Sequence, residues 1–347
     1  MEYHLKCSNC GNIYDDSYNA QVCEKCGGIL EVVYEGRIQK IENLRSFWDL
    51  EPVLPGGRYK HLEVGFTKLI PAREKGLHLK LEVENPTHSF KDRGSVIEVA
   101  KAKEYGYDEL VCASTGNMAY SLAYYAKVYG IKAKIFVSKN VTKDKMEYIR
   151  KTHDAEVVKI NGDFNEAQRH AEKYAKRRNV FLAGDYCYRK EGQKTIAYEL
   201  AQFKPDCIIV PVGNATLLSG TIKAVEEMRE CRMIDKDPTI IGVEAEKCKP
   251  LYDAFAIGKL SYTVPKTAAD AIAVGYPTFG PQVLAMAKKS KINMMVVSDK
   301  EMAVEQRRLY EDYGLVAELA GVSGIAAYRK LKLKYKNIIA IISGGNI

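Results

Sequence analysis

The chain after Gly36 alternates between short runs rich in Val and Ile and longer amphipathic segments, and this alternation limits the possible folds most. The short runs have the length and composition of buried strands, whereas the amphipathic segments have the spacing of helices. Examples are a predicted strand at 77–83 before a helix at 89–105, and a strand at 110–113 before a helix at 117–129. Strands that are each followed by a helix pair in parallel, with helices on both faces of the sheet. The sequence therefore predicts an α/β fold, and the number of units favours two doubly wound parallel-sheet domains.

Length and composition agree with this architecture and exclude several classes of protein. A chain of 347 residues that is 46% hydrophobic can bury the cores of two or three domains. It has no run near the roughly 20 apolar residues of a membrane span, and its first residues lack the apolar stretch of a signal peptide. The net charge is +8, but the 52 basic residues are mixed with 44 acidic ones along the whole chain. We therefore expect a cytoplasmic protein that binds neither membrane nor nucleic acid.

The N-terminal residues 1–36 contain two CxxC pairs, formed by Cys7 with Cys10 and by Cys23 with Cys26. Each pair is followed by glycine, which permits the tight turn of a metal-binding knuckle, and two such knuckles can give four thiolates to one tetrahedral zinc ion. The protein fills all four coordination positions, so no position is open for catalysis. The pattern predicts a zinc ribbon with a structural zinc ion.

Four loops that follow predicted strands have the composition of ligand-binding loops, which lie at the ends of strands in open α/β sheets. They span 85–94, 114–117, 210–216 and 343–346. The first places Lys91 on the first turn of a helix, where the helix dipole and burial lower the pKa of an amine and favour its neutral form. The others could cradle a carboxylate or a phosphate with backbone amides and short hydroxyls. Taken one at a time, a surface lysine, ordinary helix caps and a frayed chain end are equally compatible with these loops.

Together, these strings resemble the fold-type II pyridoxal-phosphate enzymes, and most closely the threonine synthases that have an N-terminal zinc ribbon. The resemblance extends over nearly the whole chain, and the strings at 85–94 and 191–197 are the most specific. It implies a tryptophan synthase β-like fold, pyridoxal 5'-phosphate as cofactor, and a homodimer. The implied domains are the zinc ribbon at 1–36, a large cofactor-binding domain formed by 37–94 and 190–347, and a small domain at 95–189.

The resemblance also implies roles for individual residues toward the cofactor. Lys91 would form the imine with the cofactor and act as the proton-transfer base, with Phe90 against the cofactor. Asn117 would hydrogen-bond the cofactor's 3-hydroxyl, and Ser343 would meet the pyridine nitrogen. A neutral hydroxyl there leaves that nitrogen largely unprotonated, which suits elimination and replacement chemistry. The cofactor phosphate would be held by the amides of Gly213, Asn214, Ala215, Thr216 and Leu217.

The resemblance also implies contacts to the substrate, but some of the strings that carry them differ from those of the family. Ser114 and Thr115 would lie near the substrate carboxylate, Arg189 would bind a leaving phosphate, and His88 and Lys68 are spare donors. The chain departs from the family in several of its strings. A histidine stands at position 88 where glycine is usual, Ala-Thr-Leu replaces a second glycine and asparagine at 215–217, and the segment at 65–69 differs. The C-terminal Ser-Gly-Gly-Asn at 343–346 is closer to serine and threonine dehydratases.

The resemblance favours one reaction and leaves others open. Threonine synthase would convert O-phosphohomoserine and water to threonine and phosphate, using cationic groups for the leaving phosphate. A paralogue of the cysteate- or cysteine-synthase type would act on O-phosphoserine, and a dehydratase would deaminate serine or threonine. A zinc-ribbon interaction protein without activity is a third possibility, against which the intact Lys91 and Asn117 argue. We therefore expect a small amino-acid substrate that carries a phosphate in two of these cases.

Overall fold

The computed structural model describes residues 1–114, 116–139, 141, 143, 146–147, 149–150, 155–162, 164–288, 290–331 and 335–345. The chain forms two compact units. The ribbon unit contains Met1–Arg37, Leu50–Glu63 and Lys91–Gly192, and the large unit contains Ile38–Asp49, Val64–Phe90 and Gln193–Ile347. The three-domain division expected from the sequence stays a prediction.

Strands and helices alternate along most of the chain. The strands are β1 (Tyr3–Cys7), β2 (Ile13–Tyr14), β3 (Leu30–Tyr34), β4 (Leu69–Pro71), β5 (Leu77–Leu81), β6 (Glu109–Ala113), β7 (Lys132–Ser138), β8 (Glu156–Ile160), β9 (Phe181–Leu182), β10 (Cys207–Pro211), β11 (Thr239–Ala245), β12 (Ile292–Val297) and β13 (Ile338–Ile342). The helices are α1 (Lys91–Glu104), α2 (Asn117–Tyr129), α3 (Phe164–Arg178), α4 (Cys187–Ala201), α5 (Thr216–Glu230), α6 (Pro250–Ile257), α7 (Gly280–Met286), α8 (Asp299–Tyr313) and α9 (Ser323–Tyr328). Short 3-10 turns occupy Phe47–Val53, Glu82–Glu84, Asp270–Ile272 and Ala320–Val322.

The ribbon unit contains two sheets. At its N-terminus β2, β1 and β3 form a small antiparallel sheet in that order. The two CxxC knuckles flank this sheet, and the glycines that follow them, Gly11 and Gly27, have φ values of 74° and 70°. This left-handed backbone suits glycine because it has no Cβ. The second sheet is entirely parallel, in the order β8-β7-β6-β9.

The large unit is built on a six-stranded sheet in the order β12-β11-β10-β13-β5-β4. Its central strands β10 and β13 are buried at every position, as expected of parallel strands that are covered by helices on both faces. The predicted α/β fold with two parallel sheets and a small Cys-bearing ribbon is confirmed. One detail differs, because the edge strand β4 pairs antiparallel with β5.

Several predicted elements have different bounds in the structure. The strand predicted at 77–83 ends at Leu81, where the chain turns into Glu82–Glu84. The sequence also predicts a helix at 322–332, where the structure has a 3-10 turn followed by α9, which ends at Tyr328. A further helix is predicted at 143–151, where four of the nine positions lie outside the described residues. Within the described chain, no helix has both the length and the apolar character needed to cross a membrane.

The carboxylate of Glu244 in β11 receives hydrogen bonds from the first turn of α6. The amides of Leu251 and Tyr252 donate to it at 3.2 and 2.7 Å, and the side chain is buried. Burial raises the pKa of Glu244 from 4.5 to about 7, and these two amides oppose the change. Glu244 therefore holds a proton more tightly in the folded protein than in the unfolded chain.

We expect this carboxyl group to make the stability of the protein depend on pH. The stabilisation from the bound proton is complete below pH 4.5 and is lost as the pH rises to about 7. Relative to Glu244→Gln, which cannot ionise, the wild-type free energy of unfolding should fall by at most about 3 kcal/mol over this range. Urea denaturation of both proteins at several pH values measures the difference. The exposed Glu246→Gln serves as control, and a pH-independent difference for Glu244→Gln would contradict the expectation.

Candidate active site

Three of the predicted ligand-binding loops follow neighbouring strands of the large sheet. The strands β10, β13 and β5 are adjacent and parallel, so their carboxyl ends lie along the same edge. The loops after them carry Gly213 and Asn214, Ser343, and the segment that leads to Phe90. In open α/β sheets this edge is where ligands bind. The large unit thus collects most of the residues that the resemblance implies for the cofactor.

The segment before Lys91 is joined to the C-terminal loop by backbone hydrogen bonds. The Phe90 amide donates to the Ser343 carbonyl at 3.0 Å, and the Gly345 amide donates to the His88 carbonyl at 3.0 Å. Ser89, which lies between them, forms a bridge with Gly344. Lys91 follows Phe90 in the chain and is the first residue of α1, so it lies on the first turn of the helix, which begins two residues later than predicted. The loop that carries Ser343 therefore fixes the residue directly before the lysine.

His88 has a backbone conformation that glycine usually adopts, with φ of 57°. Its amide donates to the Asn85 carbonyl at 2.7 Å, and its Nδ1 lies 3.0 Å from the Val83 carbonyl oxygen. A carbonyl oxygen only accepts hydrogen bonds, so this contact assigns the proton of the neutral ring to Nδ1. The other ring nitrogen, Nε2, is then a hydrogen-bond acceptor. A turn whose backbone suits glycine therefore carries an imidazole side chain here.

The segment at 65–68 is held by polar side chains of the large unit. The hydrogen bonds run from Gly65 N to Asn85 Oδ1 (2.9 Å), Phe66 N to Glu199 Oε1 (3.0 Å), Thr67 Oγ1 to Glu82 Oε1 (2.8 Å) and Lys68 N to Glu84 Oε2 (2.8 Å). The Lys68 ammonium pairs with Glu84 at 2.8 Å. Glu199 also forms a buried ion pair with Lys80 at 2.6 Å. These contacts specify the conformation of this segment.

The loop at 213–217 precedes and begins α5. It contains a closely packed glycine, Gly213, and a residue with a left-handed backbone conformation, Ala215. A Cβ at Gly213 would lie 2.7 Å from the Ala271 carbonyl oxygen, so only glycine fits there. The Asn214 carbonyl accepts from the Phe279 amide at 3.0 Å, which fixes the turn. Ala215 is the N-cap of α5 and has φ of 61°. The first amides of a helix have no acceptor within the helix, so a helix start of this kind can bind a phosphate.

We expect Ala215→Gly to stabilise the protein by up to about 1 kcal/mol, because a left-handed conformation is costly for a residue with a Cβ. Thermal and urea denaturation of the cofactor-free protein measure the change. In the interior of the same helix, Ala224→Gly should instead destabilise by at least about 1 kcal/mol. Destabilisation by both substitutions would show that the turn at Ala215 carries no such cost.

Within the ribbon unit, α1 and α4 approach each other at two glycines. A Cβ at Gly192 would lie 1.9 Å from the Arg93 carbonyl oxygen and 2.8 Å from the Gly94 Cα. A Cβ at Gly94 would lie 2.7 Å from Cγ of Arg189. The two most specific strings of the sequence, at 85–94 and 191–197, therefore meet in backbone contact directly beside Lys91.

Arg189 is completely buried, and its partners in the ribbon unit differ from the leaving phosphate that the resemblance implies. It donates through Nε to the Gly184 carbonyl (2.9 Å) and through Nη1 to the Lys91 carbonyl (3.4 Å), and it forms an ion pair with the buried Glu98. Burial raises the pKa of Glu98 to about 7, while Arg189 and the Gly184 amide favour its ionised form. The guanidinium thus joins the first turn of α1 to α4.

The loop between β6 and α2 has the expected position but is described only in part. Ser114 follows β6, and its hydroxyl lies 3.5 Å from the Gly116 amide. Asn117 is the first residue of α2, and both Ser114 and Asn117 are buried. Thr115 lies outside the described residues. The hydroxyl of Ser121 donates to the buried Asp92 at 2.6 Å, so α2 is fixed to the turn that carries Lys91.

The four N-terminal cysteines form a cluster suited to a metal ion. The Sγ atoms of Cys7, Cys10, Cys23 and Cys26 all lie within 4.8 Å of one another. The Tyr14 hydroxyl lies 3.0 Å from the Cys23 Sγ. Burial opposes ionisation of Cys23, but hydrogen bonds from Tyr14 and from backbone amides lower its pKa to about 6. Four thiols that converge at these distances fit a tetrahedral thiolate-bound ion such as zinc.

The sequence reasoning missed Glu98 and the packing role of Gly94. A signal was available, because Gly94 and Glu98 follow Lys91 at spacings of three and seven residues and so share one face of α1. A charged residue on the same helix face as a candidate catalytic lysine is a reason to look for a buried partner. Arg189 was noticed, but its partner on another helix could not be inferred from spacing.

The sequence matches the family of pyridoxal-phosphate dependent enzymes over residues 61–344. The chain belongs to this family. This pyridoxal-phosphate dependent enzyme is 34% identical to a threonine synthase of Methanosarcina acetivorans, over 95% of the chain and 87% of the relative. It is 33% identical to a threonine synthase of Methanocaldococcus jannaschii, over 94% and 87%. The solved structure of maize serine racemase superimposes with a TM-score of 0.72 at 24% identity, over 81% of this chain and 88% of that one, which shows the shared fold.

Proposed function

We propose that this enzyme is a threonine synthase, which converts O-phosphohomoserine and water to threonine and phosphate. The observation that carries the proposal is the position of Lys91, which begins a helix directly after a segment bound to the C-terminal loop. The two threonine synthases similar to nearly the whole chain support the choice of reaction. A serine or threonine dehydratase is the second candidate, because the small residues at 343–345 are typical of dehydratases.

The residues present fit pyridoxal phosphate, and we assign them as follows. Lys91 would bind the cofactor through its amine, Phe90 would contact the cofactor, and Asn117 would hydrogen-bond its 3-hydroxyl. The amides of 213–217, at the start of α5, hold the phosphate, and Ser343 gives the pyridine nitrogen a neutral partner. When bound, the cofactor supplies an electron sink for negative charge on the substrate carbons. Lys91 then moves protons at the α and β carbons of the substrate.

The proposed substrate contacts are Ser114 and Thr115 for the carboxylate, with His88 and Lys68 near the phosphate. The reaction balances because the β carbon loses a proton and gains the hydroxyl of water, while the γ carbon loses phosphate and gains a proton. We propose that Arg189 serves as a positioning residue for Lys91, because its donors are directed to partners inside the ribbon unit. This role replaces the phosphate contact that the resemblance implied for Arg189.

We propose that Cys7, Cys10, Cys23 and Cys26 bind one structural zinc ion, on the basis of their mutual distances. All four coordination positions are then occupied by protein, so this ion takes no part in the reaction. A homodimer and a cytoplasmic location complete the proposal.

The proposal is tested with the purified full-length protein and added pyridoxal phosphate. The yellow absorbance of lysine-bound cofactor is expected, followed by turnover of O-phosphohomoserine to phosphate and threonine. O-phosphoserine, serine and threonine are assayed in parallel, with phosphate and keto-acid formation as separate readouts. Keto acid from serine or threonine without phosphate release from O-phosphohomoserine would replace the proposed reaction with a dehydratase.

A further inference from the structure

The first two turns of α4 are contacted by side chains of the cysteine-bearing ribbon, all within the ribbon unit. The contacts link Gln21 to Cys187 (3.8 Å), Tyr3 to Tyr188 (3.2 Å between hydroxyls), Glu31 to Lys190 (an ion pair) and Tyr34 to Glu191 (2.6 Å). Four of the five residues from 187 to 191 therefore have a partner in the ribbon. The remaining residue of this stretch is Arg189.

Arg189 contacts α1 instead of the ribbon. Its guanidinium donates to the Lys91 carbonyl and pairs with Glu98, and its side chain packs against Gly94. One short stretch of α4 thus lies between the ribbon and the first turn of the helix that carries Lys91. A shift of this stretch cannot leave Lys91 unchanged, because the backbones of Gly94 and Gly192 are already in contact.

A second connection runs from the ribbon to α1 through Lys101. This lysine is 1% exposed, and its ammonium lies 5.4 Å from the ring centre of Tyr3, 5.0 Å from Tyr105 and 5.5 Å from Tyr188. Its Nζ also donates to the Gly56 carbonyl at 2.9 Å. Burial of an ammonium among aromatic rings requires that each ring keep its place. Tyr3, in β1 of the ribbon, therefore supports both α1 and α4.

Two of the four partners of the ribbon on α4, Lys190 and Glu191, are buried charged residues, which makes them sensitive to the position of the ribbon. Lys190 is 1% exposed and Glu191 is fully buried. Removing one partner of a buried polar pair leaves the other with an unfavourable desolvated charge. The ribbon itself has only three short strands, so a metal ion at its cysteines contributes directly to its folding.

We propose that the metal ion bound by the four cysteines positions Lys91 for the cofactor, acting through Glu31 and Tyr34 on the start of α4. This inference rests on the proposed function, since it takes Lys91 as the cofactor-binding residue. Glu31 and Tyr34 are positioning residues, and their effect on the cofactor passes through the stretch at 187–191 and Arg189. The ribbon then helps to position the residue that binds the cofactor, so loss of the metal from the ribbon weakens cofactor binding.

The first test removes the two contacts and leaves the cysteines intact. The double variant Glu31→Gln, Tyr34→Phe is compared with wild type by metal analysis, cofactor titration and circular dichroism of the bound cofactor. We expect an unchanged metal content, about tenfold weaker binding of pyridoxal phosphate, and an altered cofactor dichroism, since hydrogen bonds to charged groups are lost. The matched control is Glu35→Gln, Tyr18→Phe, which alters an exposed glutamate and an internal tyrosine of the same ribbon. The control should retain wild-type affinity and dichroism.

The second test asks whether the metal acts through these contacts. Metal is removed from wild type and from the double variant with a chelator, and the cofactor affinity is measured before and after. Metal removal should weaken binding more in wild type than in the double variant, because the double variant has already lost the contacts of Glu31 and Tyr34. A purely structural metal would weaken both proteins by the same factor, and such additive losses overturn the inference. Unchanged affinity in the double variant overturns it as well. If metal-loaded wild type does not bind the cofactor at Lys91, the proposed function fails instead.

Discussion

Replacement of Lys91 with alanine is expected to abolish covalent cofactor binding and to lower kcat by at least about 10³-fold. Alanine cannot form the bond with the cofactor aldehyde and cannot transfer protons to and from the substrate, so two contributions are lost together. Borohydride reduction of the protein with pyridoxal phosphate, followed by peptide mass mapping, reports the covalent bond. Steady-state assays on O-phosphohomoserine report the loss of turnover.

The matched control for this prediction is Lys103→Ala in the last turn of the same helix. Lys103 is half exposed and forms a surface ion pair with Asp108 at 3.6 Å, so its loss should change neither readout. A reduced cofactor adduct on a residue other than Lys91 in wild type would overturn the assignment. So would full turnover by Lys91→Ala.

Substitution of Gly192 by alanine should destabilise the protein by more than about 3 kcal/mol. The added Cβ would lie 1.9 Å from the Arg93 carbonyl oxygen and 2.8 Å from the Gly94 Cα. Both are backbone atoms, so neither can rotate away. Relief therefore requires that α4 move from α1, which disturbs the buried pair of Arg189 with Glu98. Urea denaturation of cofactor-free protein measures the loss, and cofactor titration measures the accompanying change at Lys91.

The control for this substitution is Gly56→Ala. An added Cβ at Gly56 meets only the Met1 carbonyl oxygen at 3.7 Å, an ordinary contact, and its φ is compatible with alanine. We expect it to be neutral or to stabilise by up to about 1 kcal/mol, because alanine restricts the unfolded chain. Equal and small effects of both substitutions would show that the two helices are free to separate.

The sequence was most informative where a local signal determines the structure. The helix predicted at 117–129 has the same bounds in the structure, because Gly130 ends it in a left-handed conformation with φ of 66°. The fully apolar strands β10 and β13 were recognised because parallel central strands are buried on both faces. The four cysteines were found because the spacing of two CxxC pairs is itself the local signal for a metal cluster.

The sequence was least informative where a feature depends on contacts between distant segments. The edge strand β4 has three residues and no alternation of apolar and polar positions, so its antiparallel pairing with β5 has no signal of its own. The burial of Arg189 depends on Glu98, which lies on another helix, and a charged helix residue is ordinarily solvent-exposed. The contact between Gly94 and Gly192 is likewise set by the crossing of two helices.

The left-handed turns at His88 and Ala215 have a consequence for how this enzyme could acquire new substrates. At both positions the backbone has the shape that glycine adopts without cost, although each residue carries a side chain. At these positions glycine can therefore be replaced by a larger residue, or a larger residue by glycine, without a change in the main-chain conformation. Libraries that vary only these two positions would test how the proposed contacts of His88 and Ala215 affect substrate choice, with the main chain and Lys91 unchanged.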